Sequence, residues 1–403
     1  MDVEPVAPEQ RLRIAVLGDF DGVHTRSWLR WFVERGHEVH AISYYAPAAP
    51  LDGVRLHVLR ARRQSADGKR QRSGQQTADG KRGGGRVPGS LMRLAHGVRY
   101  WFAGLRRVLR EIRPDVFHAH YVVEHGFYGA LAGYHPYVVT AWGSDVLVEP
   151  GRDVVSKLIA KWTVRRADLV TSNNTYMADR IVALGAPRSK VEIVTLGADR
   201  YFLDRSGASV NVLPAVPARA PVVLSTRAHE PLYNIGEIVG AYEQAVRSVP
   251  GARLVVAHGG SQSAELSRRA AVSAGRIEFI GFVGREALRD AMTGADVFVS
   301  VPSSDGTSVA LLQAMAAGCF PIVSDLPTQR ELIDDGVNGF RVPLHRPDVL
   351  AERIKQALAD DELRRTAAAR NRLIVEERGL NEKQMAKMEA LYWALVRARG
   401  DGR

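Results

Sequence analysis

The chain of 403 residues contains only one cysteine, Cys319. A single cysteine excludes an intramolecular disulfide and is typical of proteins in reducing compartments, so we expect a cytoplasmic location. The sequence also lacks any apolar run near the roughly 20 residues that a membrane-spanning helix needs. Asp2, Glu4 and Glu9 stand where a signal peptide would carry basic and then apolar residues, and we therefore expect no export signal.

Most of the chain lacks excess positive charge, although the formal net charge is +11. Residues 60–113 alone carry a net charge of +12, which leaves the remaining residues close to neutral. A protein that binds nucleic acid presents cations over an extended face along the phosphate backbone. The confinement of charge to one stretch therefore argues against nucleic acid as a partner.

Two segments make up this basic stretch. Residues 60–90 combine many glycines, few apolar residues and a repeated ADGKR, and they predict a disordered surface insert. Residues 91–113 space apolar side chains as on one face of a helix and carry arginines on the other, which predicts a surface helix packed on a sheet. The alternative is that residues 60–113 attach the protein peripherally to an anionic membrane at its inner face, or bind a phosphorylated acceptor.

Apolar strands alternate with amphipathic helices in two parts of the chain. Residues 11–43 contain the strand RIAVLG, the loop DFDGVHT, the helix SWLRWFVERG and the strand HEVHAIS, in the order of a βαβ unit with parallel strands. Further strands follow up to VEIVTL, and a second series runs from PVVLST to CFPIVS. The sequence therefore predicts an α/β protein with two doubly wound, Rossmann-like domains.

Composition also predicts the domain boundaries. A stretch rich in Ser, Pro and Ala, without periodicity, separates the two series and predicts an interdomain linker. The predicted segments are a flexible N-terminus at 1–10, an N-terminal domain at 11–202, the linker at 203–220, a C-terminal domain at 221–380, and a helix within 381–403 that packs back toward the N-terminal domain.

Residues 303–325, SSDGTSVALLQAMAAGCFPIVSD, carry the strongest functional signal. They contain a small polar loop, a short apolar helix that Gly318 ends, and a buried strand. A glycine-bearing loop that opens a helix presents unbonded backbone N–H groups and the positive end of the helix dipole. Both features suit a phosphate group.

This segment resembles the donor-binding signature of the retaining glycosyltransferases of family 4, Glu-Gly-Phe-Gly-x-x-x-x-Glu-Ala-Met-Ala. Asp305 stands in the place of the first Glu, and Gln313 stands in the place of the second. The resemblance implies that Asp305 is catalytic and bonds sugar hydroxyls, that Gln313 bonds the ribose hydroxyls, and that amides near Gly306, Ser308 and Val309 contact the donor.

The resemblance covers most of the chain and implies the GT-B architecture, in which two Rossmann-like domains face each other across a cleft. It further implies a nucleotide-diphosphate sugar as co-substrate, UDP- or GDP-linked, with no metal or other cofactor. A second segment, LSTRAHEPLYNIGEIVGAY, corresponds to the family's Arg and Lys-Gly that clamp the donor diphosphate. Arg227 matches the Arg, but Tyr233 and Asn234 replace Lys-Gly. We expect Asn234 and helix amides to offset part of the missing charge.

Other loops complete the sites that the resemblance implies. Gly18 opens GDFDGVH after the first strand, and Gly259 lies in AHGG after a later one; both are assigned to the donor. Phe282 and Val283, in FIGFV, correspond to residues that contact the nucleobase through their backbone.

The loop after the first strand also spells Asp19-Phe20-Asp21, the Asp-x-Asp triplet of metal-dependent transferases. Those enzymes place the triplet in mid-chain, after a nucleotide-binding sheet. We therefore interpret these aspartates as a turn that caps the following helix and predict no bound metal. Asp21 is expected to lie near the acceptor.

His120 ends the predicted strand of DVFHAHYVVEHG and matches the family histidine near the reacting sugar carbon, so we assign it a catalytic role. His118 is expected to point to the opposite face and to pack in the core. TAWGSDV resembles the family's Thr-x-His-Gly-Ser-Asp, with Trp142 in the place of His. Asp145 either orients an acceptor or sugar hydroxyl or caps a turn, and the sequence does not separate these alternatives.

The predicted function is that of a retaining, metal-independent glycosyltransferase. It would move a hexose-type sugar from a nucleotide-diphosphate sugar to the hydroxyl of a glycan, a lipid-linked sugar or a small molecule. The missing second cation and the two altered acidic positions leave an alternative, a catalytically weak or inactive subunit of the same fold that binds sugar nucleotides.

Overall fold

The computed structural model describes residues 11–59, 102–204, 220–249, 251–271, 273 and 276–400. The predicted N-terminus at 1–10 and insert at 60–90 lie outside these residues, as does most of the predicted linker at 203–220. Among the helices of the described residues, none is long and apolar enough to cross a membrane.

Thirteen strands run through the described residues, and most of them are short apolar runs. They are β1 Arg13–Leu17, β2 Glu38–Ser43, β3 Val54–Val58, β4 Val116–His120, β5 Tyr137–Thr140, β6 Leu169–Ser172, β7 Val191–Ile193, β8 Val222–Ser225, β9 Arg253–Ala257, β10 Ile277–Gly281, β11 Val297–Ser300, β12 Phe320–Ser324 and β13 Phe340–Val342. Every strand that the sequence predicts is present. The three-residue β13 was missed because so short a segment shows no periodicity.

Helices connect these strands. They are α1 Val23–Glu34, α2 at 102–112, α3 Phe127–Ala132, α4 Ser144–Leu147, α5 Glu149–Arg152, α6 Val154–Arg166, α7 Thr175–Ala183, α8 Ile235–Ala245, α9 Ser263–Ala270, α10 Arg285–Thr293, α11 Val309–Ala317, α12 Pro347–Ala359, α13 Asp361–Ile374 and α14 Asn381–Gly400. The predicted helix at 91–113 is present as α2 over its described part, and its residues 91–101 lie outside the described residues.

The described residues divide into two compact units. The first unit extends to Thr140 and adds Arg166–Asp168 and the residues from Leu395 onward, and the second comprises Ala141–Arg165 and Leu169–Ala394. In the first unit the strands follow the order β3-β2-β1-β4-β5. Their pairing is parallel, as between β1 and its neighbours β2 and β4. Because the order reverses beside β1, the ends of β1 and β4 flank the crevice where ligands bind in such sheets.

The second unit contains the pair β6-β7 and a six-stranded sheet of order β10-β9-β8-β11-β12-β13. The strands β8, β11 and β12 are buried along their whole length. One face packs on apolar residues of α8 and α12, and the other face packs on α11. Helices on both faces of a parallel sheet confirm the predicted doubly wound α/β architecture.

The helix α14 begins beside residues that follow β7. Ala198 forms a parallel bridge with Leu380, and the Thr195 amide donates to the Gln384 Oε1 at 3.1 Å. Between these contacts, Gly197 lies against the backbone of residues 379–381. The start of α14 is thus fixed to the segment after β7 within the second unit.

This backbone crossing should not tolerate a side chain at Gly197. A Cβ there would lie 2.4 Å from the Gly379 carbonyl oxygen and 2.5 Å from the Asn381 amide nitrogen. We expect Gly197→Ala to lower the free energy of unfolding by about 2–4 kcal/mol, since backbone atoms must shift. Chemical denaturation measures this change. The matched control is Gly151→Ala, whose Cβ meets nothing within 4 Å and whose effect should stay within about 0.5 kcal/mol. Equal stability of the two variants would contradict the prediction.

Candidate functional site

In the first unit, the candidate site lies where β1 and β4 end side by side. Gly18 follows β1 and donates its amide to the Ile42 carbonyl at 3.2 Å. A Cβ added to Gly18 would lie 3.6 Å from the His120 Cβ, which is ordinary van der Waals contact. Packing within the protein therefore does not require glycine here. The absence of a side chain leaves the strand end open to the close approach of a ligand.

His120, the last residue of β4, is 3% exposed. Its ring packs edge-on against Trp28, with 5.2 Å between ring centroids, and against His118 at 4.6 Å. His118 shares a hydrogen bond with the Thr140 hydroxyl at 2.7 Å. His118 is buried as expected, but the expectation that it points to the opposite face is wrong. Alternate residues of a strand lie on the same face, which brings the two rings together.

The histidines at this strand end are kept neutral by burial. Burial, which strips an imidazolium of its hydration, and to a lesser extent the neighbouring His125 together lower the pKa of His120 to about 3. Burial also lowers the pKa of His125 to about 4 and that of His118 well below its usual range. At neutral pH, His120 can hydrogen-bond a hydroxyl group, but it offers no positive charge to a phosphate.

The backbone turns sharply directly after His120. Tyr121 has φ of 78° and ψ of 110°, a conformation that costs energy for a bulky residue, and Val122–Gly126 forms a single π-helical turn. Such strain and such turns cluster at functional sites. The turn brings His125 next to His120 and stacks the His125 ring on Tyr44, with 5.2 Å between centroids. This feature was not predicted, because nothing in the sequence pattern marks a tyrosine for positive φ.

Asp19 and Asp21, which follow β1, do not cap α1 as predicted. The Asp21 amide donates to the Asp19 carboxylate at 3.0 Å, and the Ala48 amide donates to the Asp21 carboxylate at 2.6 Å. The helix α1 begins after Gly22 without a side-chain cap. The predicted helix cap is therefore wrong, because backbone amides of the turn and of the loop after β2 use these carboxylates instead. Asp21 remains exposed, and its role toward an acceptor stays a prediction.

In the second unit, Arg227 is the centre of the candidate donor site. It follows β8, and its side chain is only 11% exposed. The guanidinium donates to the Asp305 carboxylate at 2.9 Å and to the Ser308 hydroxyl at 2.5 Å. It also lies over the ring of Tyr233, 4.4 Å from the centroid, in a cation–π contact. The structure thus brings together three predicted residues, Arg227, Asp305 and Ser308. It adds Tyr233, which stands where the family has its lysine.

The guanidinium meets the N-terminal end of α11. Ser308 caps this helix by accepting a hydrogen bond from the Leu311 amide, and Val309 is the first helical residue. Just before the cap, a Cβ on Gly306 would lie 2.6 Å from the Asn173 side-chain Nδ2, so a larger residue there would have to displace the Asn173 side chain. The first-turn amides have no partner within the helix, and the helix dipole adds positive potential at this end. A fixed cation beside a helix N-terminus is suited to bind an anion.

Asp305 shares its carboxylate between Arg227 and the Gly306 amide. Burial raises the pKa of Asp305, while the charge of Arg227 and these hydrogen bonds oppose that rise. The Thr328 hydroxyl donates to the Asp305 carbonyl at 2.9 Å and holds the backbone of the loop. Before it contacts any ligand, Asp305 therefore already orients the Arg227 guanidinium.

Asn234 precedes α8 in the left-handed conformation, with φ of 52°. Its side-chain amide donates to the Val301 carbonyl at 2.9 Å and to the Ser303 hydroxyl at 3.0 Å. These contacts use both amide hydrogens and fix the loop after β11. The expectation that the Asn234 side chain offsets the missing cation is therefore not supported in this arrangement.

The loop after β9, which holds Gly259, and the loop after β10, which holds Phe282 and Val283, carry residues predicted to contact the donor. His258 has φ of 78°, and its ring shares a hydrogen bond with the Gly259 carbonyl at 2.8 Å. The same ring lies edge-on to Phe282, with 5.5 Å between centroids. Phe282 is 75% exposed and is followed by half-buried Val283. An exposed aromatic ring at a strand end can stack on a planar base. The sequence analysis did not single out His258.

Asp145, predicted to lie near the acceptor or to cap a turn, lies in the short helix α4 of the second unit. Asp145 is fully buried, and its carboxylate accepts the Trp142 amide at 3.0 Å and the Gly143 amide at 2.9 Å. Gly143 has φ of 138°, which only glycine adopts readily. Of the two alternatives for Asp145, the structure favours the turn cap.

Gln313 is half-buried in the second turn of α11, and its contact with a ribose stays a prediction.

Family models match both parts of the chain. The model described as Glycosyl transferase 4-like domain matches residues 22–197. The model described as Glycosyl transferases group 1 matches residues 214–373. Together the two matches cover most of the chain and include His120 of the first candidate site and Arg227 of the second.

Curated relatives share part of the sequence. A phosphatidyl-myo-inositol mannosyltransferase of Mycolicibacterium smegmatis is 32% identical over 168 residues, which are 41% of this chain and 43% of that protein. An N-acetyl-alpha-D-glucosaminyl L-malate synthase of Bacillus anthracis is 21% identical over 307 residues, or 74% and 80% of the two chains. The chain thus spans less than half the length of the mannosyltransferase it matches.

Solved structures share the fold over nearly the whole chain. Sucrose-phosphate synthase from Thermosynechococcus elongatus superposes with a TM-score of 0.76 at 18% identity, over 96% of this chain and 100% of that one. HepE of Anabaena, solved in complex with UDP, superposes with a TM-score of 0.73 at 16% identity, over 95% and 100%. At such low identity the likeness shows the fold alone, which is the predicted GT-B fold.

The buried histidines of the first unit should make the protein sensitive to acid. Since the folded pKa of His120 lies below the usual 6.5, the unfolded chain binds more protons, and stability falls as pH drops from 6.5 toward 3. We expect His120→Gln to reduce the stability lost between about pH 6.5 and 5 by about 1–2 kcal/mol. Chemical denaturation at several pH values measures this slope. His345→Gln, at a histidine that is 63% exposed, serves as the control. An unchanged slope in His120→Gln would refute the prediction.

Proposed function

The chain belongs to the glycosyltransferases of family 4, and we propose that it is a retaining, metal-independent enzyme. It moves a hexose-type sugar from a UDP- or GDP-linked nucleotide-diphosphate sugar to an acceptor hydroxyl. The observation that carries this proposal is the Arg227 guanidinium, fixed by Asp305 and Ser308 at the N-terminus of α11. A site of that kind binds the donor diphosphate by charge and by backbone amides.

The same groups support departure of the nucleotide. When the glycosidic bond to the diphosphate breaks, negative charge grows on the leaving phosphate oxygen. Arg227 and the first-turn amides of α11 already create a positive potential at the N-terminus of this helix, so they need little reorganisation. Retention then follows from front-face attack, in which a phosphate oxygen takes the acceptor proton.

The candidate site of the first unit offers neutral groups. Because its pKa is about 3, the His120 imidazole is uncharged at neutral pH and acts as a hydrogen-bond partner for a sugar hydroxyl. It does not serve as a general acid near neutral pH, since too little imidazolium is present. The acceptor is a glycan, a lipid-linked sugar or a small molecule.

Membrane contact through residues 60–113 remains part of the proposal. Of this stretch, α2 lies in the described residues, with Leu105, Leu109 and Ile112 buried and Arg107 and Arg110 exposed. An arginine face on a packed helix can reach anionic headgroups, and each engaged cation contributes about 1 kcal/mol near such a surface. The lipid mannosyltransferase among the relatives is consistent with an acceptor at a membrane.

The alternative is a weak or inactive subunit that binds sugar nucleotides. One observation favours it. Asn234 stands where the family has the glycine of its Lys-Gly pair, and both hydrogens of its side-chain amide are donated to the loop after β11. Both proposals predict donor binding. They differ in whether the sugar leaves the nucleotide, either by transfer to an acceptor or by hydrolysis.

The deciding experiment starts with a thermal-shift screen of UDP-, GDP-, ADP- and dTDP-linked sugars. A donor at 100 times its dissociation constant should add about 2.7 kcal/mol of stability. Turnover of that donor is then followed with and without EDTA. Turnover that EDTA leaves unchanged supports the enzyme. Activity that is lost with EDTA and restored by Mn²⁺ would refute metal independence, and binding without turnover or hydrolysis would favour the alternative.

Arg227 and Tyr233 should differ in their effect on donor binding. We expect Arg227→Ala to weaken nucleotide-diphosphate affinity by about 1.5–3 kcal/mol, the usual contribution of a charge-assisted hydrogen bond. Tyr233→Leu should weaken it by about 0.5–1 kcal/mol, because the guanidinium loses its cation–π contact. Tyr233→Phe keeps the ring and is the matched control with near-native affinity. Isothermal calorimetry measures all three. Native affinity in folded Arg227→Ala would show that the diphosphate binds elsewhere.

A further inference from the structure

The helix α6 turns an apolar face to solvent. Ala160, Thr163 and Val164 are its buried residues. On the opposite side, at positions i, i+1 and i+4, Val154, Val155 and Leu158 are 73%, 54% and 60% exposed. Three large aliphatic side chains within five residues form a contiguous patch, which protein surfaces rarely leave uncovered.

Positive charge borders this patch. The sequence of α6, VVSKLIAKWTVRR, contains four cations and no acidic residue. Lys157 and Lys161 follow one edge of the exposed face at i, i+4 spacing. The nearest preceding acid, Asp153, directs one carboxylate oxygen to the Ser156 amide and the other to the Ser156 hydroxyl, each at 2.8 Å. It therefore caps the helix and leaves the lysines without an acid on their own helix.

We propose that α6 is a docking surface for an anionic lipid bilayer. The helix lies in the plane of the interface, with Val154, Val155 and Leu158 in the boundary between headgroups and acyl chains. Lys157 and Lys161 extend their aliphatic stems outward and reach lipid phosphates. An apolar centre with basic edges on one helix is the pattern that binds such a surface, since apolar burial and attraction to anionic lipid add together.

The charge of α6 favours a bilayer over a second copy of the chain. Two copies that meet through this face would place their four cations against each other, and like charges across an interface oppose association. The proposal concerns a different element from residues 60–113 and does not rest on the donor site of the second unit.

Vesicle sedimentation with the full chain tests the proposal. Wild-type protein should sediment with vesicles of phosphatidylcholine containing roughly one third phosphatidylglycerol, and should stay in solution with phosphatidylcholine alone or in high salt. Leu158→Asp should reduce its partition onto anionic vesicles by roughly tenfold, because it removes an inserted side chain and adds a negative charge. Lys157→Gln combined with Lys161→Gln should reduce it by several-fold.

Leu373→Asp is the matched control, because Leu373 is 66% exposed on α13 and belongs to no such patch. It should sediment like wild type, and thermal melting should show that all variants are folded. Wild-type binding that Leu158→Asp leaves unchanged would overturn the proposal, as would loss of binding only on deletion of residues 61–87, which would assign the membrane contact to the basic insert. Wild-type protein that binds no vesicle but forms a dimer sensitive to Leu158→Asp would also overturn it. Donor affinity, measured separately, reports on the proposed enzyme and not on α6.

Discussion

The candidate donor site of the second unit depends on one guanidinium that has lost most of its water. Arg227 is 11% exposed, and removing an ion from water costs several kcal/mol unless other groups replace its hydration. Asp305 and Ser308, in the loop after β11, and Tyr233, in the segment before α8, replace it. The ion pair therefore holds these loops in register as well as presenting a charge. Asp305, although its side chain is shorter than that of the family's Glu, therefore still has a defined role in orienting Arg227.

Charge is divided unequally between the two candidate sites. The second unit concentrates a cation, a helix N-terminus and the loop amides at one point, which suits a diphosphate. At the strand ends of the first unit, His118, His120 and His125 are held neutral by burial. Neutral imidazoles discriminate hydroxyl groups by hydrogen-bond geometry. The two sites therefore suit different ligand groups, a charged phosphate in the second unit and uncharged hydroxyl groups in the first.

The sequence predicted what depends on local pattern. Apolar runs predicted every strand except the three-residue β13, and the glycine and serine around Gly306 predicted the helix start at α11. The shared face of His118 and His120 was also predictable, because strand periodicity requires it. Partners across the chain were not predictable: no pattern shows that Asn234 bonds the Val301 carbonyl, that Tyr121 adopts positive φ, or that Asp21 holds the Ala48 amide. Those outcomes depend on tertiary contacts between distant residues.

The contact between α14 and the segment after β7 has a consequence for synthesis. Thr195 and Gln384, which it joins, are 189 residues apart in the sequence. At the usual 5–20 residues per second, a ribosome needs about 10 to 40 seconds to make the intervening chain. During that interval the segment at Gly197 and Ala198 has been synthesised without the residues it pairs with, and unpaired backbone of this kind invites association with other nascent chains. The second unit can therefore complete this crossing only after translation has passed Leu380.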